Sequence, residues 1–298
     1  MTRALVLGGG GPVGIAWESG LVAGLAEGGV DVSQADFIMG TSAGSVVGAQ
    51  LALGKAPAAL YTAITAHPPQ PAAQPGTTPA APPVLTHLME LMQQAASGSM
   101  PPDELRRKIG AFALNAKTIT EEEFLLSFGR MLASSDAWPG RPYACTAVDA
   151  VDGSFVLWDK DADAPLNRAV ASSCSVPGIY PPITINGRRY IDGGMRSATN
   201  ADCAMDYNTV LVVAVTTDVQ GPMGDQSRER LAAELAELRD AGRKVECLQP
   251  DAGSRSAFGP NLMDFSRRTP AAEAGYAQGE GGGRDATGDV ERVASPDC

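Results

Sequence analysis

Gly40-Thr41-Ser42-Ala43-Gly44 is a G-x-S-x-G sequence set between an apolar stretch, Asp36-Phe37-Ile38-Met39, and a small-residue segment running to Leu53. A serine on a tight turn between a strand and a helix exposes its hydroxyl at the end of the sheet. The same turn aims the N-terminus of the helix at the reacting atoms. Residues two before and two after the serine must lack bulk for strand and helix to approach, and Gly40 and Gly44 meet that requirement. The chemistry of such a turn is acyl transfer. An ordinary small-residue turn has the same composition, so the motif needs partners.

Two further glycine-bearing motifs qualify. Gly8-Gly9-Gly10-Gly11-Pro12-Val13-Gly14 follows an apolar stretch, Ala4 to Leu7. Consecutive glycines let backbone N–H groups converge on an anion, which in acyl transfer is the oxygen of the tetrahedral intermediate. Gly9, Gly11 and Gly14 also satisfy the dinucleotide fingerprint G-x-G-x-x-G, with Asp31 and Asp36 near the place of a ribose-binding acid. On this loop alone a nucleotide-binding reading leads. Asp192-Gly193-Gly194 ends a strand-like stretch and presents a carboxylate, although an isolated Asp-Gly is usually only a turn.

The histidine count separates the mechanisms. His67 and His87 lie in or beside a Pro/Ala-rich segment and precede Asp192, whereas an α/β-hydrolase runs Ser, Asp/Glu, His. A nucleophilic Ser42 therefore needs another base. A carboxylate serves if burial raises its pKa and it touches the hydroxyl.

The elements that must position these groups alternate. Ala4–Leu7 reads as a buried strand, 15–27 as a helix, 36–39 as a strand and 43–53 as a helix, the rhythm of a doubly wound α/β sheet. Segment 67–83 is too rich in proline for helix or sheet and reads as an extended excursion, a candidate lid. Beyond it, Met89, Leu91 and Met92 lie in a helical stretch, 85–94, that reads first as core packing and second as cover for an acyl groove. Helices are expected over 102–114, 120–132, 165–173, 228–243 and 271–278, the second opening with a capping box at Thr120 and Glu123. Strands are expected over 143–149, 154–158, 183–185, 188–191, 210–215 and 244–248, with Asn186-Gly187 as a two-residue hairpin turn. From Gly279 the chain is Gly-rich and polar, and disorder is expected to 298.

Together these motifs resemble the patatin-like phospholipase family: a glycine loop, then GTSAG, no usable histidine, and a late DGG. The likeness extends through Ala171-Ser172-Ser173-Cys174-Ser175-Val176-Pro177-Gly178-Ile179-Tyr180-Pro181 and includes Asn200-Ala201-Asp202. The resemblance implies a three-layer α/β/α domain over 1–278 with a mostly parallel central sheet. It implies a Ser42 nucleophile, an Asp192 base, oxyanion donors at Gly9, Gly10 and Gly11, and neither metal nor cofactor. The implied substrate is a lipid or another acyl ester. One departure stands out: relatives carry Arg or Lys before the last glycine of the loop, where this chain has Val13. That bears on phospholipid preference more than on ester hydrolysis. A lipid-binding regulator with weak catalysis is the alternative of the same family.

Composition bounds the rest. The 298 residues are 44% hydrophobic and 19% charged, enough for a sizeable core. A net charge of −11 argues against sequence-independent nucleic-acid binding, and any transient contact with an anionic membrane surface would have to be local. Five widely spaced cysteines without a CxxC suit a reduced chain, and the short apolar start suits a first strand better than a signal peptide. A cytoplasmic location is expected. Oligomeric state leaves no trace in the sequence.

Overall fold

A computed structural model describes residues 1–66, 90, 100–131, 136–216 and 222–285. Eight strands among them make one mixed sheet: β1 (Arg3–Leu7), β2 (Phe37–Gly40), β3 (Tyr143–Asp149), β4 (Phe155–Trp158), β5 (Ile183–Ile185), β6 (Arg188–Asp192), β7 (Thr209–Val213) and β8 (Lys244–Leu248). The run β3-β2-β1-β7-β8 is parallel, and β4, β6 and β5 extend it with antiparallel pairings. The helices are α1 (Gly11–Glu27), α2 (Ala43–Ala52), α3 (Pro57–Thr65), α4 (Pro102–Asn115), α5 (Glu121–Met131), α6 (Leu166–Ser173), α7 (Pro222–Asp240), α8 (Ala252–Phe258) and α9 (Arg268–Asp285).

The strands are apolar without alternation because both faces are covered. Leu5, Leu7, Ile38, Leu211 and Val213 share one core with residues of α1, α2, α3, α6 and α9. Their neighbours Ala4, Val6, Met39, Val210 and Val212 pack with Leu231, Leu235 and Leu238 of α7, while Val148 and Ile191 meet Leu105 and Ile109 of α4. Helices on both faces make the three layers the motifs led one to expect.

Register along β3 positions the site. Cys145 pairs with Gly40 of β2 and with Trp158 of β4, so β2 and β4 lie on opposite edges of β3. Ala147 pairs with Val156 of β4 and with Asp192 of β6, so β4 and β6 also lie on opposite edges. β2 and β6 therefore share one edge, running toward each other end to end.

Several boundaries differ from the sequence-based expectations. The last helix is not 271–278 followed by disorder from Gly279; α9 is helical through Asp285. Its glycines are a packing surface. A Cβ at Gly275 would lie 2.3 Å from the Trp17 carbonyl oxygen and one at Gly279 2.5 Å from that of Leu21. Gly20 and Gly24 of α1 answer them at 2.0 Å from Ala272 O and 2.1 Å from Tyr276 O. Composition alone reads such a segment as loose, whereas the paired glycines bring two helix backbones into contact. Helices α3 and α8 were not anticipated; α3 opens on Pro57 and buries only Leu60 and Ile64, too little for a visible apolar stripe. The Thr120–Glu123 capping box is present, each residue binding the other's backbone N–H, and Asn186 and Gly187 turn the hairpin with φ of 50° and 74°. The excursion at 67–83, both histidines, Met89, Leu91, Met92 and residues 286–298 lie outside the described residues.

Candidate active site

Ser42 follows the end of β2 by two residues and caps α2 with φ 52° and ψ −114°, a left-handed backbone that costs a residue with a Cβ about 1–3 kcal/mol. The surroundings hold it there. Thr41 N–H donates to Leu7 O at 2.9 Å, and Gly44 N–H donates to Gly8 O at 2.9 Å. Ser42 N–H donates to Ser173 Oγ at 2.9 Å, and its carbonyl accepts from Ser45 Oγ at 2.6 Å and Cys174 Sγ at 3.1 Å. The glycine requirement is steric. A Cβ at Gly40 would stand 2.2 Å from Gly44 O, and one at Gly44 would stand 2.1 Å from Leu7 O.

Asp192 ends β6 and is 2% exposed. Its Oδ1 accepts from Gly194 N–H at 2.7 Å, and the Ser42 side chain lies near enough to favour the charged carboxylate. Burial pushes its pKa up to about 7, against the lowering pull of Ser42 and the Gly194 N–H. A carboxylate that gains a proton near neutrality beside a strained serine is equipped to act as a base.

Asn200 joins the two halves of the site, a role its sequence context did not suggest. Its backbone is left-handed at φ 52°, and Nδ2 reaches Thr41 Oγ1 at 3.0 Å, Gly193 O at 3.3 Å and Ser197 O at 2.7 Å. Thr41 and Thr146 hydroxyls meet at 2.9 Å, and Arg196, itself paired with Asp202, donates to Asn200 Oδ1 at 2.8 Å. This buried polar cluster ties Thr41, the residue before Ser42, to Gly193, the residue after Asp192. Cys174 sits beneath Ser42 as a support: burial lifts its thiol well above the ordinary range, away from nucleophilic use.

The glycine loop reaches the same place. A Cβ at Gly9 would lie 3.4 Å from Ser42 Cβ. The three glycines expected as donors divide, however. Gly9 N–H is engaged with Ala198 O at 2.7 Å, whereas no hydrogen bond within the described residues takes the N–H of Gly10 or Gly11. Those two groups stand at the N-terminus of α1, where a partial positive charge favours an anion. Val13, in the place of the usual cation, is fully buried and donates its N–H to Leu262 O at 3.2 Å, and Met263 Sδ lies against Gly11.

The dinucleotide alternative loses its acid. Asp36 binds Arg3 N–H at 2.7 Å at the start of β1, while the glycine loop follows the end of that strand. Asp31 caps the short turn Val32–Gln34.

A sequence profile of the patatin-like phospholipase family matches residues 5–205. The chain belongs to that family. The patatin-like sheet extends past the matched region, since β7 lies between β1 and β8. No curated protein matches the chain. Among solved structures, VipD from Legionella pneumophila is similar at 12% identity and a TM-score of 0.42, over 98% of this chain and 66% of VipD. The type III effector protein ExoU is similar at 17% identity and a TM-score of 0.35, over 94% of this chain. The chain thus spans 66% and 53% of the lengths of these two proteins.

Proposed function

We propose that this patatin-like domain hydrolyses carboxylic esters of lipids through a Ser42–Asp192 dyad and an acyl-enzyme. The observation that carries the reading is the buried Asp192 carboxylate beside Ser42, whose side chain favours its charged form. Asp192 takes the hydroxyl proton as Oγ attacks the ester carbonyl. The resulting oxyanion is held by Gly10 and Gly11 N–H, each such donor worth about 3 kcal/mol in the transition state. Collapse expels the alcohol, which leaves with the proton from Asp192. Water then gives a proton to Asp192 and attacks the acyl carbon; collapse breaks the acyl–Oγ bond, Asp192 returns the proton to Oγ, and the acid leaves with Ser42 and the carboxylate restored. An uncharged Val13 and the side chain of Met263 at the loop suit an ester recognised by its acyl chain rather than by a phosphate.

Turnover of short- and long-chain lipid esters by wild type, Ser42→Ala and Asp192→Asn tests the reading. Both variants should stay folded and lose at least about a thousandfold in kcat. Activity retained in either would overturn it.

A further inference from the structure

The loop between Gly193 and Asp202 carries two groups into the candidate site. Ala198 O accepts Gly9 N–H at 2.7 Å, and Asn200 Nδ2 holds Thr41 Oγ1 at 3.0 Å and Gly193 O at 3.3 Å. The residues on either side of Asn200 bind a different element. Thr199 Oγ1 donates to Glu234 Oε2 at 2.7 Å, and Ala201 N–H donates to the same oxygen at 2.9 Å. Glu234 lies on α7 and is 1% exposed, and its other oxygen accepts from Arg230 Nε at 2.9 Å. Thr199 also packs on the glycine loop: a Cβ at Gly8 would lie 3.3 Å from its Cγ2.

Packing alone does not call for a carboxylate at this position. Leu231, Leu235 and Leu238 form the buried stripe of α7, and residue 234 falls on that stripe at helical spacing. Taking a carboxylate out of water there costs free energy that an apolar side chain would not. What the carboxylate gains is a fixed, charge-assisted acceptor for both neighbours of Asn200. Asn200 needs such a clamp, because its left-handed backbone, φ 52°, persists only where the surroundings hold it. Arg196, paired with Asp202, orients the Asn200 amide through Oδ1 at 2.8 Å. Arg196 thus fixes the amide, and Glu234 the backbone that carries it.

We propose that Glu234 is a positioning residue for acyl transfer. By clamping Thr199 and Ala201 from α7, it sets Asn200 against Thr41 and Gly193, and Ala198 against Gly9. The inference rests on the acyl-transfer reading above. None of the hydrogen bonds of Glu234 reaches Ser42, Asp192, Gly10 or Gly11, so it acts through the loop. Removing it strips Thr199 Oγ1 and Ala201 N–H of a buried acceptor, and the loop relaxes from the geometry that holds Thr41 and Gly193. A displacement of that kind slows the reaction of the bound ester rather than its binding.

The test is steady-state kinetics on a soluble p-nitrophenyl ester for wild type, Glu234→Ala, Glu234→Gln and Leu238→Ala, well below every Tm. The rate at which a fluorophosphonate labels Ser42 is read alongside. Glu234→Ala should lose about tenfold to a hundredfold in kcat at nearly constant KM, and label Ser42 more slowly in proportion. Glu234→Gln keeps an oxygen for Thr199 and Ala201, while Arg230, partly exposed, turns to solvent, so most of the loss should be recovered. Leu238→Ala opens a cavity on the same stripe; it should lower Tm and keep the wild-type kcat. Because the effect passes through the loop, Glu234→Ala with Asn200→Ala should lose less than the product of the two single losses. Wild-type kcat in Glu234→Ala overturns the proposal, as does a Glu234→Gln loss equal to that of Glu234→Ala, or losses that multiply in the double variant. If Glu234→Ala does not fold, Thr199→Val removes one clamp bond at nearly constant shape; a smaller loss in kcat supports the proposal and an unchanged kcat overturns it. A folded wild type that takes no label overturns the acyl-transfer reading instead.

Discussion

Gly40 and Asp192 lie on the same edge of β3, opposite Cys145 and Ala147, with Thr146 alone between them. Because β2 and β6 run toward each other along that edge, the turn after Gly40 and the carboxylate of Asp192 meet at the gap between two strand ends. The Thr146 hydroxyl fills the gap from β3 and binds Thr41. The approach of Ser42 to Asp192 is thus a matter of strand register.

The raised pKa of Asp192 sets the pH dependence. The base form is the carboxylate, so kcat/KM should fall about tenfold per unit below pH 7 and level off above it. Stability runs the other way. The folded pKa of about 7 exceeds the unfolded value, so stability is full below about pH 4 and declines as pH rises to 7. Asp192→Asn should therefore raise Tm at pH 8 and leave it little changed at pH 4. A Tm gain that is the same at both pH values would contradict the assignment.

Backbone strain at Ser42 makes a separate prediction. At φ 52° a side chain is costly, and glycine is not. Ser42→Gly should be more stable than Ser42→Ala by roughly 1 kcal/mol in urea melts, with both inactive. Equal stabilities would place the strain elsewhere.

Asn200 should act on kcat rather than KM. Its Nδ2 binds Thr41 and Gly193, so Asn200→Ala loosens the supports of both Ser42 and Asp192. A loss of about tenfold to a hundredfold in kcat at nearly constant KM is expected from misplacement of this kind. Steady-state kinetics on one soluble ester decide it; a change confined to KM would reject the role.

Ser42 and Asp192, the pair proposed as the dyad, were more legible in the sequence than the residues that support them, for physical reasons. Ser42 and Asp192 stand near glycines whose spacing is imposed by sterics, and two histidines placed by sequence in or beside a Pro/Ala-rich segment left a carboxylate as the expected base. Asn200, Thr146 and Ser173 act through contacts across 54 to 159 residues of chain, which no local pattern records. The loop glycines look alike in sequence, yet Ala198 takes the Gly9 N–H and leaves those of Gly10 and Gly11. Similarly, Gly275 and Gly279 have the composition of a loose tail, and only the glycines facing them on α1 make them a helix contact.

That contact is itself testable. Gly24→Val would drive a side chain into Tyr276 O, 2.1 Å from the first carbon, and should cost at least about 3 kcal/mol in a denaturant melt. Gly29→Val, where nothing lies within 4 Å, is the control for added bulk, although its φ of 95° brings strain of its own. A Gly24→Val variant as stable as wild type would mean that α9 does not pack on α1 as described.

The most direct test of the central claim is intact-mass analysis after treatment with a fluorophosphonate, on wild type and Ser42→Ala together. An activated Ser42 predicts one covalent adduct on wild type and none on the variant. A folded wild type that takes no adduct, or a variant that still takes one, contradicts Ser42 as the nucleophile.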